Sequence, residues 1–241
     1  MRIVTWNCSQ KLDAKFEALM GLRPDVAIIP ECAEPDVLRK KAPGFAFSDC
    51  EWQGSNPNKG LGVFAFGARS LRRHQSWDPR FHLFLPVEIR GIDAVNLLAV
   101  WAFNEATPPK VVPNPRTTSL ALDHYARFLE RSTAIVAGDF NAGIAWDSKS
   151  KSGKFADVDA KLVKFGLASA YHAHTGDDFD EEECPTHWFL KNAKRSFHID
   201  YIYVPSSKGC VVRSVWVGES TDWLKRSDHA PVVVELTVQA S

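Results

Sequence analysis

Five short polar clusters hold side chains suited to metal-assisted chemistry on a phosphate. They are Trp6-Asn7, Pro30-Glu31, Gly138-Asp139-Phe140-Asn141, His198-Ile199-Asp200-Tyr201 and Ser227-Asp228-His229. Carboxylates such as Glu31 are hard oxygen ligands that suit Mg2+, whereas amides and imidazoles suit a phosphate. Asp139 and Asn141 are two residues apart, so on an extended backbone both point the same way and Phe140 turns to the core. That pair places a group able to take a proton from water beside an N–H able to donate to a phosphate oxygen. Asp200 can fix the tautomer of His229 and favour its charged form. The same two-residue spacing puts His198 on the face of Asp200. Each cluster also has a plainer reading. Gly, Asp and Asn are usual at turns that end strands, Glu31 could be a surface glutamate, and His229 could be a satisfied, partly buried histidine.

Elements that could carry these groups to one place are visible in the pattern. Each cluster follows or opens a strand-like stretch, at residues 2–5, 25–29, 133–137, 200–204 and 231–236. Further strands are expected over 60–66, 82–89, 94–102 and 211–217, and helices over 12–22, 35–41, 117–130 and 157–165. Strands outnumber helices, which points to a mixed α/β sandwich of two sheets. Two stretches read as loops over a site: 106–117, with four prolines, and 175–186, with six acids.

The chain has 241 residues, enough for one large domain, and its composition is that of an ordinary globular protein. Its net charge is zero, which argues against a strongly basic nucleic-acid binder and leaves room for local basic patches. Cys8, Cys32, Cys50, Cys184 and Cys210 form no CxxC pair, so neither a disulfide framework nor a zinc site is expected. No apolar run approaches the roughly 20 residues that span a bilayer. No leader pattern precedes the first strand, and a cytoplasmic setting is the expectation.

Taken together and in this order, the motifs resemble the endonuclease/exonuclease/phosphatase superfamily, the DNase I-like proteins. The resemblance runs through nearly the whole chain, and Gly138-Asp139-Phe140-Asn141 and Ser227-Asp228-His229 are its most specific parts. It implies a four-layer α/β/β/α sandwich of two mixed sheets, a single domain over 1–241, with the site at one end of the sheets. It implies phosphoester hydrolysis with Mg2+ or Mn2+. Carried onto this chain, Asn7 and Glu31 hold the metal side, with Asp228 as a possible third ligand. Asp139 aligns or deprotonates the attacking water, Asn141 binds the phosphate, and His229, oriented by Asp200, stabilises the transition state. Two positions depart from the usual pattern. Ser9 stands where many members carry an acid, and Trp101-Ala102-Phe103-Asn104 stands where many carry a His or Tyr. Trp101 offers only an indole N–H.

Asn7, Asn58, Asn104, Trp101 and His198 are the expected substrate contacts; Asn58 could equally just make a turn. Superfamily substrates range from DNA and RNA to nucleotides, inositol phosphates and sphingomyelin. Basic clusters at Arg69, Arg72 and Arg73, at Lys149, Lys151 and Lys154, and at Lys191, Lys194 and Arg195 favour nucleic acid, DNA first. Trp52, Trp188 and Trp223 could stack on bases. Zero net charge and the acidic run at 177–183 favour a phosphorylated small molecule instead. A non-catalytic binding module is the third reading, supported only by Ser9 and Trp101. A monomer is expected, with no membrane partner.

Overall fold

In the computed structural model of the chain, the described residues are 1–91, 94–103, 114–130, 133–207 and 209–238. Strands β1 (Arg2–Thr5), β2 (Val26–Cys32), β3 (Asp49–Asn56) and β4 (Lys59–Ala65) come first. They are followed by β5 (Ser70–Arg73), β6 (Phe84–Arg90), β7 (Val95–Trp101) and β8 (Ala134–Asp139). The last six are β9 (Leu167–Ser169), β10 (His187–Trp188), β11 (Ser196–Phe197), β12 (Asp200–Pro205), β13 (Cys210–Val217) and β14 (Val232–Val238).

Two six-stranded sheets result, ordered β13-β14-β1-β2-β4-β3 and β5-β6-β7-β8-β12-β9, with β10-β11 as a separate hairpin. Each large sheet has one parallel pair near its middle, β1 with β2 and β7 with β8; the other pairings are antiparallel. The β2 and β7 sequences are nearly continuous apolar runs because both their faces are covered. Leu97, Ala99, Ile135 and Ala137 share one core with Ile3, Ile28 and Val234 of the other sheet. Their sequence neighbours Leu98, Val100 and Val136 face the opposite way. There they pack on Leu122, Phe128, Phe155 and Leu162 from helices α3 (Arg116–His124), α4 (Ala126–Leu129) and α5 (Phe155–Lys164), if α1 (Phe16–Gly21) and α2 (Pro35–Lys41) are counted first. Leu19 of α1 and Leu38 of α2 are buried with the first sheet. The result is the expected α/β sandwich of two mixed sheets. Each fully buried side chain of this kind contributes roughly 1.5–3 kcal/mol.

Topology explains why the polar clusters meet. The C-terminal ends of the two parallel pairs carry Glu31, Trp101 and Asp139, with Asn7 just past the end of β1. β12 and β14 run antiparallel to β8 and β1, so their N-terminal ends lie on the same rim and bring Asp200 and His229.

Several local expectations change. The helix expected over 117–130 breaks at Tyr125, whose hydroxyl bonds the Phe84 carbonyl and accepts the Asp78 N–H. The edge strand β3 is polar enough that alternation did not reveal it. Most of the proline-rich stretch 106–117, like Asn104, lies outside the described residues. Among the described residues no helix is long and apolar enough to cross a membrane.

Candidate active site

Asn7 links the two sheets. Its Nδ2 donates to Asp139 Oδ2 at 2.9 Å and approaches Glu31 Oε1 at 3.4 Å, while its Oδ1 accepts the Ser9 N–H. Ser227 closes the corner behind it, with Oγ donating to the Asn7 carbonyl at 2.7 Å and accepting the His229 N–H. Glu31 reaches the rim through a β-bulge: pairing with β4 slips between Pro30 and Cys32, and Glu31 takes a left-handed φ of 61°. Bulges of this kind re-aim a side chain at the price of local strain.

Asp139 is fully buried and receives three hydrogen bonds, from Asn7 Nδ2, Asn141 Nδ2 and the Asn141 backbone N–H, each at 2.9 Å. Burial, and then the charge of Asp200, push its carboxyl up to about 6. Opposite it, His229 Nδ1 lies 2.8 Å from Asp200 Oδ2. Burial alone would lower this imidazole. The carboxylates of Asp200 and Asp139 outweigh burial and raise it to about 10. Asp200 is itself held by the Thr186 hydroxyl, which accepts its backbone N–H, and its Oδ1 is buried without a partner.

The folded value for His229 lies above its ordinary 6.5. The pair therefore stabilises the fold fully below about pH 6.5, and that contribution is lost as pH rises towards 10. Asp200→Asn removes the largest raising influence and leaves burial opposed only by Asp139 and Asp228. We expect NMR titration of the His229 ring to show its pKa fall by at least two units in this variant.

Ligand atoms of Asp139, Asp200 and His229 lie within 4.8 Å of one another. Two buried carboxylates, one raised to about 6, and a third from Glu31 at the rim face only two cations, His229 and Lys59, so this set of hard oxygen donors keeps a net negative charge. A divalent cation fits that charge. Asn7 acts in this arrangement as a brace between carboxylates, with one oxygen lone pair still free. Asp228 is half-buried beside His229, with its backbone carbonyl accepting the Trp188 N–H.

Other expected residues are placed differently. His198 does not share the face of Asp200. The β12 ladder begins only at Asp200, and the His198 ring turns to the Cys184 carbonyl and packs on Tyr171, His172 and Tyr201. Trp101 is 1% exposed, with Phe103 stacked on it and Lys59 over its face. Asn58 is exposed in the β3–β4 turn, its N–H bonded to Asn56 Oδ1. Trp188 and Trp223 are core residues, and Trp52 is half-buried on β3 with its indole N–H on the Cys32 carbonyl. Arg69, Arg72 and Arg73 pair with Asp25, Glu88 and Glu51. The acidic run is only partly solvated: Asp177 accepts the Tyr171 hydroxyl and Glu182 pairs with His172. Cys8 and Cys32 are buried free thiols, and burial pushes Cys8 up to about 12.

Two residues that sequence reasoning missed stand at the rim. The ring of His187 lies 4.5 Å from that of His229, joined through a β-bridge. Burial and then the neighbouring His229 charge lower it to about 4, so it is neutral at pH 7. Lys59 Nζ is 3.5 Å from Glu31 Oε2. Neither belonged to a recognisable motif.

No family model matches the chain, and no curated protein matches it by sequence. Solved structures do match. The 3′ phosphatase NExo from Neisseria, bound to product DNA hairpin, is 19% identical, with 98% of each chain covered and a TM-score of 0.68. An AP endonuclease from Archaeoglobus fulgidus is 15% identical over 98% of each chain, with a TM-score of 0.66. The endonuclease domain of TRAS1, a telomere-specific non-LTR retrotransposon, is 17% identical over 99% of each chain, with a TM-score of 0.65. The chain has the DNase I-like fold of these endonuclease/exonuclease/phosphatase structures.

Proposed function

We propose that this chain is a divalent-metal-dependent phosphodiesterase that hydrolyses nucleic acid, DNA in preference. The observation that carries the reading is the joint placement of a buried Asp200–His229 pair and a buried Asp139 bonded to half-buried Asn141, with the ligand atoms of Asp139, Asp200 and His229 within 4.8 Å of one another. Asp139, with its carboxyl near 6, is ionised at pH 7 and basic enough to orient water and take its proton. The water oxygen bonds to phosphorus as the bond from phosphorus to the leaving sugar oxygen breaks. His229, held charged by Asp200, places positive charge on the phosphoryl oxygens where negative charge builds. Asn141 keeps one amide N–H for the same oxygens once its other is on Asp139. Glu31, with Asp139 or Asp228 near it, would hold Mg2+ or Mn2+, which would supply further charge neutralisation.

Nucleic acid is favoured by the β10–β11 hairpin beside His229. Its tip exposes Phe189 by 40% and Leu190 by 74%, and Leu190 and Lys191 both have left-handed φ. Arg195 lies over the Phe189 ring at 4.5 Å, with Lys191 and Lys194 exposed on the same turn. An apolar tip ringed by cations suits a sugar–phosphate groove. The structures that match this one include a phosphatase with a DNA product, which supports the same choice. A small phosphoester is the second reading, favoured by Asp180 and Glu182 beside Trp146 and His198, which would repel a polyanion on that flank.

The test is a panel of supercoiled plasmid, RNA and bis-p-nitrophenyl phosphate, with Mg2+, Mn2+ or EDTA. Metal-dependent plasmid nicking is expected. Turnover of the small ester alone would favour the second reading, and no turnover with retained oligonucleotide binding would favour a binding module. Lys191→Ala with Lys194→Ala is expected to reduce the slope of log affinity for DNA against log salt by about 1 to 2. An unchanged slope would remove the hairpin from the interface.

A further inference from the structure

Lys59 opens β4, and its ammonium reaches the rim between two different kinds of partner. On one side is Glu31 Oε2 at 3.5 Å. On the other are two aromatic faces, with Nζ 5.2 Å from the Trp101 ring centroid and 4.8 Å from that of Phe103. These rings stack at 5.2 Å and 19°, forming a flat platform. Trp101 is buried and pairs in register with Asp139 on β8, so the platform is fixed to the strand that carries the proposed base. A cation on an aromatic face is held electrostatically by the ring quadrupole.

The chain from Lys59 to Glu31, Asn7 and Asp139 is continuous through contacts of 3.5, 3.4 and 2.9 Å. His229 closes the far side of Asp139 through Asp200. The carboxylates are thus flanked by two cations, Lys59 of β4 and His229 just before β14, at separate points along the rim of one sheet. His229 accounts for the oxygens near the attacking water. The opposite flank is where an indole has no charge to offer, and the ammonium stands on its face.

We propose that Lys59 is a catalytic residue of this site, whose ammonium contacts the leaving-side oxygen of a phosphodiester as the P–O bond breaks and stabilises the charge that develops there. The assignment rests on the phosphodiesterase reading above. It requires no proton from Lys59: the bond to the leaving oxygen breaks with its electron pair, and the fixed positive charge stabilises the alkoxide until solvent protonates it.

Leaving-group dependence tests this. A p-nitrophenolate needs little help, whereas a sugar alkoxide needs much. Lys59→Met keeps the length and packing of the stem and removes the charge. On plasmid or a dinucleotide, kcat is expected to fall about 30-fold, and on bis-p-nitrophenyl phosphate by no more than about threefold. Lys59→Arg, which keeps the charge, is expected to restore most of the difference. Mn2+ binding measured by EPR gives a readout that needs no turnover. Removing a like charge next to Glu31 is expected to tighten it about fivefold. Equal losses on both substrates would overturn the leaving-side assignment, as would no loss on either. Looser Mn2+ binding in Lys59→Met would show that the lysine only supports Glu31 and would also overturn it. A wild-type protein that cleaves none of the substrates would remove the phosphodiesterase reading itself, and this proposal with it. Wild-type cleavage with an insensitive Lys59→Met would remove only the role of Lys59.

Discussion

Asp139→Asn is expected to lower phosphodiester hydrolysis about a thousandfold while leaving the protein folded. That factor corresponds to about 4 kcal/mol of lost transition-state stabilisation. The shape of the side chain is retained and its basicity is not. Stability moves less because two changes oppose each other. One of the hydrogen bonds now accepted by Asp139 must be lost, since an amide has one acceptor oxygen and this carboxylate receives donors on both. Such a loss costs about 1 kcal/mol. Against it, a buried charge repelled by Asp200 disappears. The net change in a urea melt is expected to stay within about 2 kcal/mol. Activity at the wild-type level in the purified variant, suppressed by EDTA as before, would show that another group serves as the base. A large stability loss together with the activity loss would mean that Asp139 is mainly structural.

The rim was legible because strand ends are legible. An apolar run with a carboxylate or amide at its end marks both the buried strand and the residue that escapes it, and Asp139, Asn141, Asp200 and His229 were all found in this way. Two-residue spacing named the right partners in Asp139 and Asn141 but for another reason: β8 ends at Asp139, and Asn141, with a left-handed φ of 46°, folds back to donate to that carboxylate. It failed for His198 because the alternation argument requires a strand, and β12 starts two residues later. The bulge at Glu31 was invisible in composition, although its consequence, a glutamate at the end of an apolar run, was not. Lys59 and His187 could not be identified for a different reason. Each comes from a hairpin whose placement depends on pairing with distant strands, β2 for Lys59 and the His229 segment for His187. Burial of Trp101 likewise depends on what covers the end of β7, and one strand's sequence does not contain that information.

The dependence of the site on backbone approach gives the second large effect. Gly138→Ala is expected to destabilise the protein by more than about 4 kcal/mol, a loss that belongs to clashes which cannot relax. Gly138 has a φ of 146°, and a Cβ there would lie 1.8 Å from the Val100 carbonyl oxygen and 2.7 Å from its carbon. These are backbone atoms of the neighbouring parallel strand, paired in register with Gly138 itself. No rotamer change can make room, so β7 and β8 would have to separate at the rim. The residues displaced first would be Trp101 and Asp139, which are the next pair in the ladder. A suitable control is Gly67→Ala. Its φ of 70° is also left-handed, but nothing lies within 4 Å of the added carbon. Backbone strain alone there is expected to cost roughly 1–2 kcal/mol. A Gly138→Ala protein whose urea midpoint matched that of Gly67→Ala would mean that the two strands are not this close. The glycine that opens the Gly-Asp-Phe-Asn motif is then required by contact between strands: it lets β7 and β8 close tightly enough to hold Asp139 against Asn7 across the gap between sheets.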